Sequence, residues 1–208
     1  MTKAAIIDYG VGNLFSLTAS LKHIGADCIV TSSPAELEAA DRVILPGVGA
    51  FGDAMAKLRV SGLEEVVLAL AREGRPLLGI CLGMQMLFEK SFEYGEHKGL
   101  GLISGTVESL RADIPETMKV PQIGWNSLHF EKPGDPLLRG VTEGTFAYFV
   151  HSYYAKHCEA GLVAATEYAV QVPAVVRAGN VWGVQFHPEK SGAAGLAILR
   201  AFCGEEIG

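Results

Sequence analysis

The chain is poor in cysteine and in positive charge, and it has no long apolar run. Its 208 residues contain four cysteines, Cys28, Cys81, Cys158 and Cys203. No two of them form a C-x-x-C pair, which argues against a zinc site or a thioredoxin-like redox pair. With no export signal, all four are expected to be free thiols. Lys and Arg total 17 against 23 Asp and Glu, a formal net charge of −6, and the basic residues do not cluster. A nucleic-acid groove and an anionic membrane surface are therefore not expected partners. No apolar run approaches the ~20 residues of a membrane span. The N-terminal "MTKAAIIDYG" reaches Asp8 too early for a signal peptide. The expected location is the cytoplasm. Linkers, repeats and low-complexity stretches are also missing, so residues 1–208 read as one domain.

What is present is a regular alternation. "KAAIID", "DCIVT", "DRVILPG" and "RPLLGI" are short Val/Ile/Leu-rich runs separated by helical stretches. Strands that are apolar on both faces, with helices between them, indicate a parallel sheet covered on both sides. Asn13 is placed to cap the first helix and Gly25 to end it, while Ser33–Glu36 and Ser61–Glu64 have the spacing of capping boxes. The second half is richer in strands ("GTVESL", "KVPQIGWNSLHF", "FAYFVHSYYA", "LVAATEYA", "PAVVRAG", "VWGVQFHPE") and closes on the helix "SGAAGLAILRAFCG". The expected class is α/β, a mainly parallel central sheet with helices on both faces plus an antiparallel portion. In such sheets ligands sit at the carboxyl ends of the strands. Asp8-Tyr9-Gly10, Pro46-Gly47-Val48-Gly49, Cys81 and His187-Pro188-Glu189 all follow predicted strands.

"LLGICLGMQML" puts Cys81 on a glycine-flanked turn between a buried strand and a helix predicted to carry Met84, Met86, Leu87 and Phe88. A sharp strand–turn–helix of this kind projects a nucleophile out of the sheet, with Gly79 and Gly83 allowing close approach. The helix N-terminus would favour a thiolate. The backbone N–H of Leu82 would face the oxyanion of a tetrahedral intermediate. A thiol nucleophile needs a base, and the base an orienting group. His187, with Glu189 two residues on, suits both roles; His151, at the end of "YFVH", is a rival base. "LPGVGAFGD" lacks the G-x-x-x-x-G-K-[ST] phosphate pattern. "GVGNLF" fails as a dinucleotide fingerprint because Phe15 occupies the third glycine position. A flexible glycine pair beside a nucleophile fits a second oxyanion donor.

"PGVGAFGD", "GICLGMQMLFE" and "GVQFHPEKS", in this order, resemble the class I triad-type glutamine amidotransferases, which have a flavodoxin-like fold. "DYGVGN", "PQIGWN" and "FVHSYY" narrow the resemblance to the glutaminase subunits of imidazole glycerol phosphate synthases, from histidine biosynthesis. It spans essentially the whole chain. It implies attack by Cys81 on the side-chain amide of glutamine, giving a thioester and ammonia. His187 would move the proton and Glu189 would orient it, with an oxyanion hole from the backbone of Val48, Gly49 and Leu82. It further implies substrate binding by Gly47, Gln85, Glu93, Ser152 and Tyr153; Glu89 and Glu96 compete with Glu93 for the substrate's ammonium group. No cofactor and no metal are implied. The implied partner is a (βα)₈-barrel cyclase, forming a heterodimer that makes imidazole glycerol phosphate and AICAR, activated by the acceptor nucleotide bound in the barrel. Trp125, Asn126 and Lys190 would face that partner. Glutaminase subunits of other amidotransferases, and a non-catalytic regulator on the same scaffold, are the alternatives.

Overall fold

The structure, a computed structural model, describes residues 3–204. In chain order the elements are β1 (Lys3–Ile7), α1 (Leu14–His23), β2 (Asp27–Thr31), α2 (Pro34–Glu38), β3 (Arg42–Leu45), α3 (Phe51–Val60), α4 (Leu63–Arg72), β4 (Leu77–Ile80) and α5 (Leu82–Met86). Then follow β5 (Phe88–Ser91), β6 (His97–Lys98), β7 (Ile103–Ser109), β8 (Gln122–Ser127), β9 (His129–Phe130), β10 (Phe146–His151) and β11 (Tyr153–Lys156). The chain continues through β12 (Leu162–Glu167), β13 (Gln171–Ala178) and β14 (Val181–Val184) to α6 (Gly192–Cys203).

The main sheet has the order β2-β1-β3-β4-β14-β13-β12-β9. Its first five strands are parallel, and β13, β12 and β9 continue it antiparallel. Alternation along β1 explains why both faces are covered. Ala5 and Ile7 join a core with Leu37, Phe51, Met55 and Val67 from α2, α3 and α4. Ala4 and Ile6 point the other way, into a core with Leu17 and Leu21 of α1 and Ile198, Leu199 and Phe202 of α6. A one-residue slip would exchange the two sets, so burial fixes the register. Two smaller sheets accompany the main sheet, the ribbon β10-β8 and the four-stranded β11-β7-β5-β6.

Several local expectations are corrected. Asn13 does cap α1, its Oδ1 accepting from Ser16 N at 3.4 Å. Neither capping box forms, because each glutamate is held elsewhere. Ser33 makes no side-chain cap, and Glu36 instead accepts from the Thr31 hydroxyl. Gly62, in the left-handed region at φ 74°, takes the cap position of α4, and Glu64 pairs with Arg59 at 3.0 Å. The helix after Cys81 ends at Met86, and Phe88 opens β5. "FAYFVHSYYA" is two strands in different sheets, with the break at Ser152. Among the described residues no helix is long and apolar enough to cross a membrane.

Candidate active site

β4 ends in a strained turn. Cys81 has φ 54° and ψ −110°, outside the range side chains prefer. Its backbone is held from both sides, since its N–H donates to Val184 O at 2.8 Å and its carbonyl accepts from Gln85 N at 3.1 Å. The flanking glycines are sterically required: a Cβ on Gly83 would sit 1.9 Å from Leu45 O, and one on Gly79 would sit 2.6 Å from Gly83 O. Strain so heavily over-determined is found where it serves a function. α5 has only five residues, so its dipole is weak and neighbouring side chains carry more of the task of stabilising charge on sulfur.

His187 follows β14, pinned by its N–H to Tyr148 O at 3.0 Å and by Ser191 Oγ, which donates to the His187 carbonyl at 2.7 Å. Its Nδ1 lies 2.9 Å from Glu189 Oε1, with both side chains almost fully buried. That contact fixes Nδ1 as the protonated nitrogen and leaves Nε2 for Cys81. Burial alone would lower the His187 pKa, but hydrogen bonds to Cys81 and Glu189 outweigh it and raise it to about 9. The imidazole is therefore protonated at neutral pH, beside Cys81. Glu189 Oε2 has no partner among the described residues, and Glu189 borders a small cavity shared with Asn13, Pro46 and Val48.

His151, the rival base, is placed differently. Its Nδ1 donates to Tyr153 O at 2.9 Å, its Nε2 has no partner among the described residues, and burial drives its pKa down to about 4. It stays neutral at pH 7 and is not the histidine hydrogen-bonded to Cys81.

A cavity of about 300 Å³ opens beside Cys81, lined by Val48, Gly49, Leu82, Gln85, Glu93, Ser152, Tyr153 and His187 among others. Its size suits a single amino acid. Gly47 does not line it. A Cβ there would meet Gly83 N at 2.6 Å and Leu82 Cβ at 2.9 Å, so Gly47 packs the loop directly onto the turn. Gly49 has φ +94° and open space around its missing Cβ, so the Val48–Gly49 end of the loop can rotate. Of the three competing glutamates only Glu93 reaches the cavity. Its Oε2 accepts from Phe51 N, the first residue of α3, at 2.5 Å, and burial raises its pKa. Glu89 is bound to Gly105 N at 3.1 Å, and Glu96 pairs with Lys90 at 3.5 Å.

Further residues, of which the sequence does not single out Gln185, complete the surroundings. Tyr9, from "DYGVGN", donates its hydroxyl to Pro46 O at 2.8 Å and so braces the glycine loop. Gln185 is fully buried and donates to Cys81 Sγ at 3.8 Å. Its one signal is being a polar residue amid the apolar "VWGVQF". Trp125, 53% exposed, stacks edge-on against Tyr148, over which Lys190 Nζ lies at 5.9 Å from the ring centroid. Asn126 is turned to the other face of the ribbon, donating to Glu167 O at 3.3 Å and accepting from Gln122 Nε2 at 3.1 Å. Among the described residues no group of three His, Cys, Asp or Glu is arranged to hold a metal ion.

Comparison with known proteins shows the family. Residues 5–205 match the model of the glutamine amidotransferase class-I family. The imidazole glycerol phosphate synthase subunit HisH of Lactiplantibacillus plantarum is 51% identical over 198 residues, covering 95% of this chain and 93% of the relative. The subunit of the same name from Bacillus velezensis is 52% identical over 200 residues, with the same coverage of both chains. Among solved structures, PurLQS from Thermotoga maritima superposes with a TM-score of 0.75 over 98% of both chains at 20% identity, a likeness of fold. With a relative more than half identical along nearly its whole length, the chain belongs to the class I glutamine amidotransferases, in the family of the HisH subunits.

Proposed function

We propose that the protein is the glutaminase subunit of an imidazole glycerol phosphate synthase. The Cys81 thiolate, paired with the His187 imidazolium, attacks the side-chain carbonyl of glutamine, and the resulting oxyanion is held by backbone N–H groups at Leu82 and at Val48–Gly49. His187, protonated at neutral pH, gives its proton to the departing nitrogen, and ammonia leaves as the tetrahedral intermediate collapses to a γ-glutamyl thioester. His187, now neutral, draws a proton from water as it attacks the thioester, and glutamate is released with Cys81 restored. Glu189 holds the imidazole ring throughout and stabilises its charged form. The substrate's α-ammonium meets Glu93, while its carboxylate end lies along Ser152 and Tyr153. Gln85 lines the same cavity, and with both Nε2 hydrogens used on Tyr153 O and Gln185, its Oε1 is the atom left for the substrate.

The observation that carries this reading is the buried Cys81–His187–Glu189 arrangement on the wall of a cavity of amino-acid size. The ammonia passes to a (βα)₈-barrel cyclase. That partner docks on the exposed apolar face of the ribbon, where Ile123, Trp125 and Phe146 remain 60%, 53% and 57% exposed and Lys190 adds a charge at the edge. The test is Cys81→Ser in the complex with the cyclase. It is expected to abolish glutamine-dependent synthesis while sparing synthesis from an added ammonium salt. Loss of both activities, or of neither, would overturn the assignment.

A further inference from the structure

A chain of hydrogen bonds leads to Cys81 from Tyr153 O through Gln85 and Gln185, and its polarity can be worked out from one atom. Tyr153 O is a backbone carbonyl and can only accept. It lies 2.9 Å from the Gln85 side-chain amide, so the atom facing it is the amino nitrogen Nε2. The same nitrogen lies 3.0 Å from the side-chain amide of Gln185, which must therefore present its carbonyl oxygen, Oε1. With its oxygen committed there, Gln185 turns its amino group toward Cys81 Sγ, 3.8 Å away. No freedom to flip remains in either amide.

The burial of these groups makes that direction consequential. Gln185 is 0% exposed and Gln85 5%. An unmet polar atom at such depth costs about 1–3 kcal/mol, so reversing the Gln185 amide would set oxygen against sulfur and nitrogen against nitrogen at real expense. Cys81 itself is only 7% exposed, so little water can solvate charge on sulfur. Another hydrogen-bond neighbour of the sulfur, Val150 O at 3.9 Å, can only accept and thus serves the neutral thiol. The Gln185 amide is the donor that serves the anion. At 3.8 Å it is a long contact to a thiol and one that a thiolate would draw closer.

We propose that Gln185 is a further catalytic residue of this site: its Nε2–H donates to Cys81 Sγ and holds the negative charge of the nucleophile, while Gln85 sets the direction of the amide. Gln85 thereby acts twice, on the substrate through Oε1 and on the nucleophile through Gln185. The same donor steadies sulfur when it leaves the thioester as an anion in the second half-reaction. The proposal rests on Cys81 being the nucleophile.

The test reads the thiol without glutamine, so that substrate binding does not enter. The purified chain is treated with iodoacetamide at pH 7, and carboxamidomethylation of Cys81 is followed by peptide mass spectrometry, apart from Cys28, Cys158 and Cys203. Gln185→Met keeps length and removes the donor; Cys81 is expected to react roughly tenfold more slowly, the scale of one hydrogen bond to a charged group. Gln185→Glu turns a carboxylate oxygen toward sulfur and should be slower still. Gln85→Met frees the Gln185 amide to turn and should give an intermediate rate, and the double variant should react no more slowly than Gln185→Met alone. Thermal melting establishes that each variant is folded. A wild-type rate in folded Gln185→Met, or additive losses in the double variant, would overturn the proposal. If Gln185→Met does not fold, a wild-type rate in Gln85→Met overturns it instead. Failure of the function itself looks different: Cys81→Ser would then still hydrolyse glutamine, whatever the alkylation rates.

Discussion

Two buried histidines share the walls of one cavity and are held in opposite protonation states. His187 is raised to about 9: burial opposes its charge, but hydrogen bonds to Cys81 and Glu189 prevail. His151 is lowered to about 4, mainly by burial, with the charge on His187 adding to the effect and the bond to Tyr153 O opposing it. The linkage signs follow. A raised histidine stabilises the fold fully below its unfolded value of ~6.5 and loses that contribution as pH rises through about 9. A lowered one stabilises above ~6.5, and the contribution disappears as pH falls through about 4. Stability by urea unfolding should therefore fall on both sides of mildly acidic pH. His151→Asn, whose amide can still reach Tyr153 O, should flatten the acid limb by roughly 2 kcal/mol between pH 7 and 4.5. Glu189→Gln should flatten the alkaline limb. An unaltered acid limb in His151→Asn would mean that this histidine is not held neutral by the fold.

At the level of elements, the site is made by two tight connections pressed together, the turn at Cys81 and the loop Pro46–Gly49. Gly47 is the point of contact, and Gly49 is the free end. Gly47→Ala must push the loop away from the turn, because the obstructing atoms include the backbone of Gly83. It should lower kcat for glutamine hydrolysis by ~10²–10³, the scale of one lost oxyanion donor, with the melting temperature showing the fold intact. A wild-type kcat would show that the loop does not need this seat. The close approach explains how much the sequence revealed. β1, β3 and β4 were legible as apolar runs because parallel strands are buried on both faces. Cys81 was legible because its glycines stand beside it in sequence. The capping boxes misled because Glu36 and Glu64 found partners in Thr31 and Arg59 that the local motif does not mention. The division of "FAYFVHSYYA" was hidden because its apolar character runs unbroken across Ser152 while the chain changes sheets. Gln185 was invisible because its meaning lies in a contact with Gln85, 100 positions away.

Across the whole molecule, the exposed apolar face and the buried site are two sides of one ribbon. In β10, Phe146, Tyr148 and Val150 face outward with Ile123 and Trp125 of β8, while Phe149 and His151 face the interior. The backbone of Tyr148 reaches the site directly: its carbonyl accepts from His187 N at 3.0 Å, and its N–H donates at 2.9 Å to Ser191 Oγ, which in turn holds the His187 carbonyl. A partner seated on Trp125 and Tyr148 therefore presses on the strand that positions His187. Val48 is 44% exposed and Gly49 has open space around its missing Cβ, so a rotation of the peptide between them, which would exchange its carbonyl for its N–H at the proposed oxyanion site, meets little steric resistance. The isolated chain is accordingly expected to hydrolyse glutamine very slowly despite a complete Cys81–His187–Glu189 set. Hydrolysis uncoupled from the acceptor would release ammonia to solvent. A cyclase carrying its acceptor nucleotide can favour the N–H state only through contacts it makes better there. If that N–H is the single missing element, kcat should rise by at least ~10²–10³ on adding cyclase and nucleotide together. Trp125→Ala should raise the concentration of cyclase needed for half-activation without altering the slow rate of the free chain. Steady-state glutaminase assays on the chain alone, with cyclase, and with cyclase plus nucleotide separate these cases. Full activity in the free chain would sink the switch, and so would activation below tenfold.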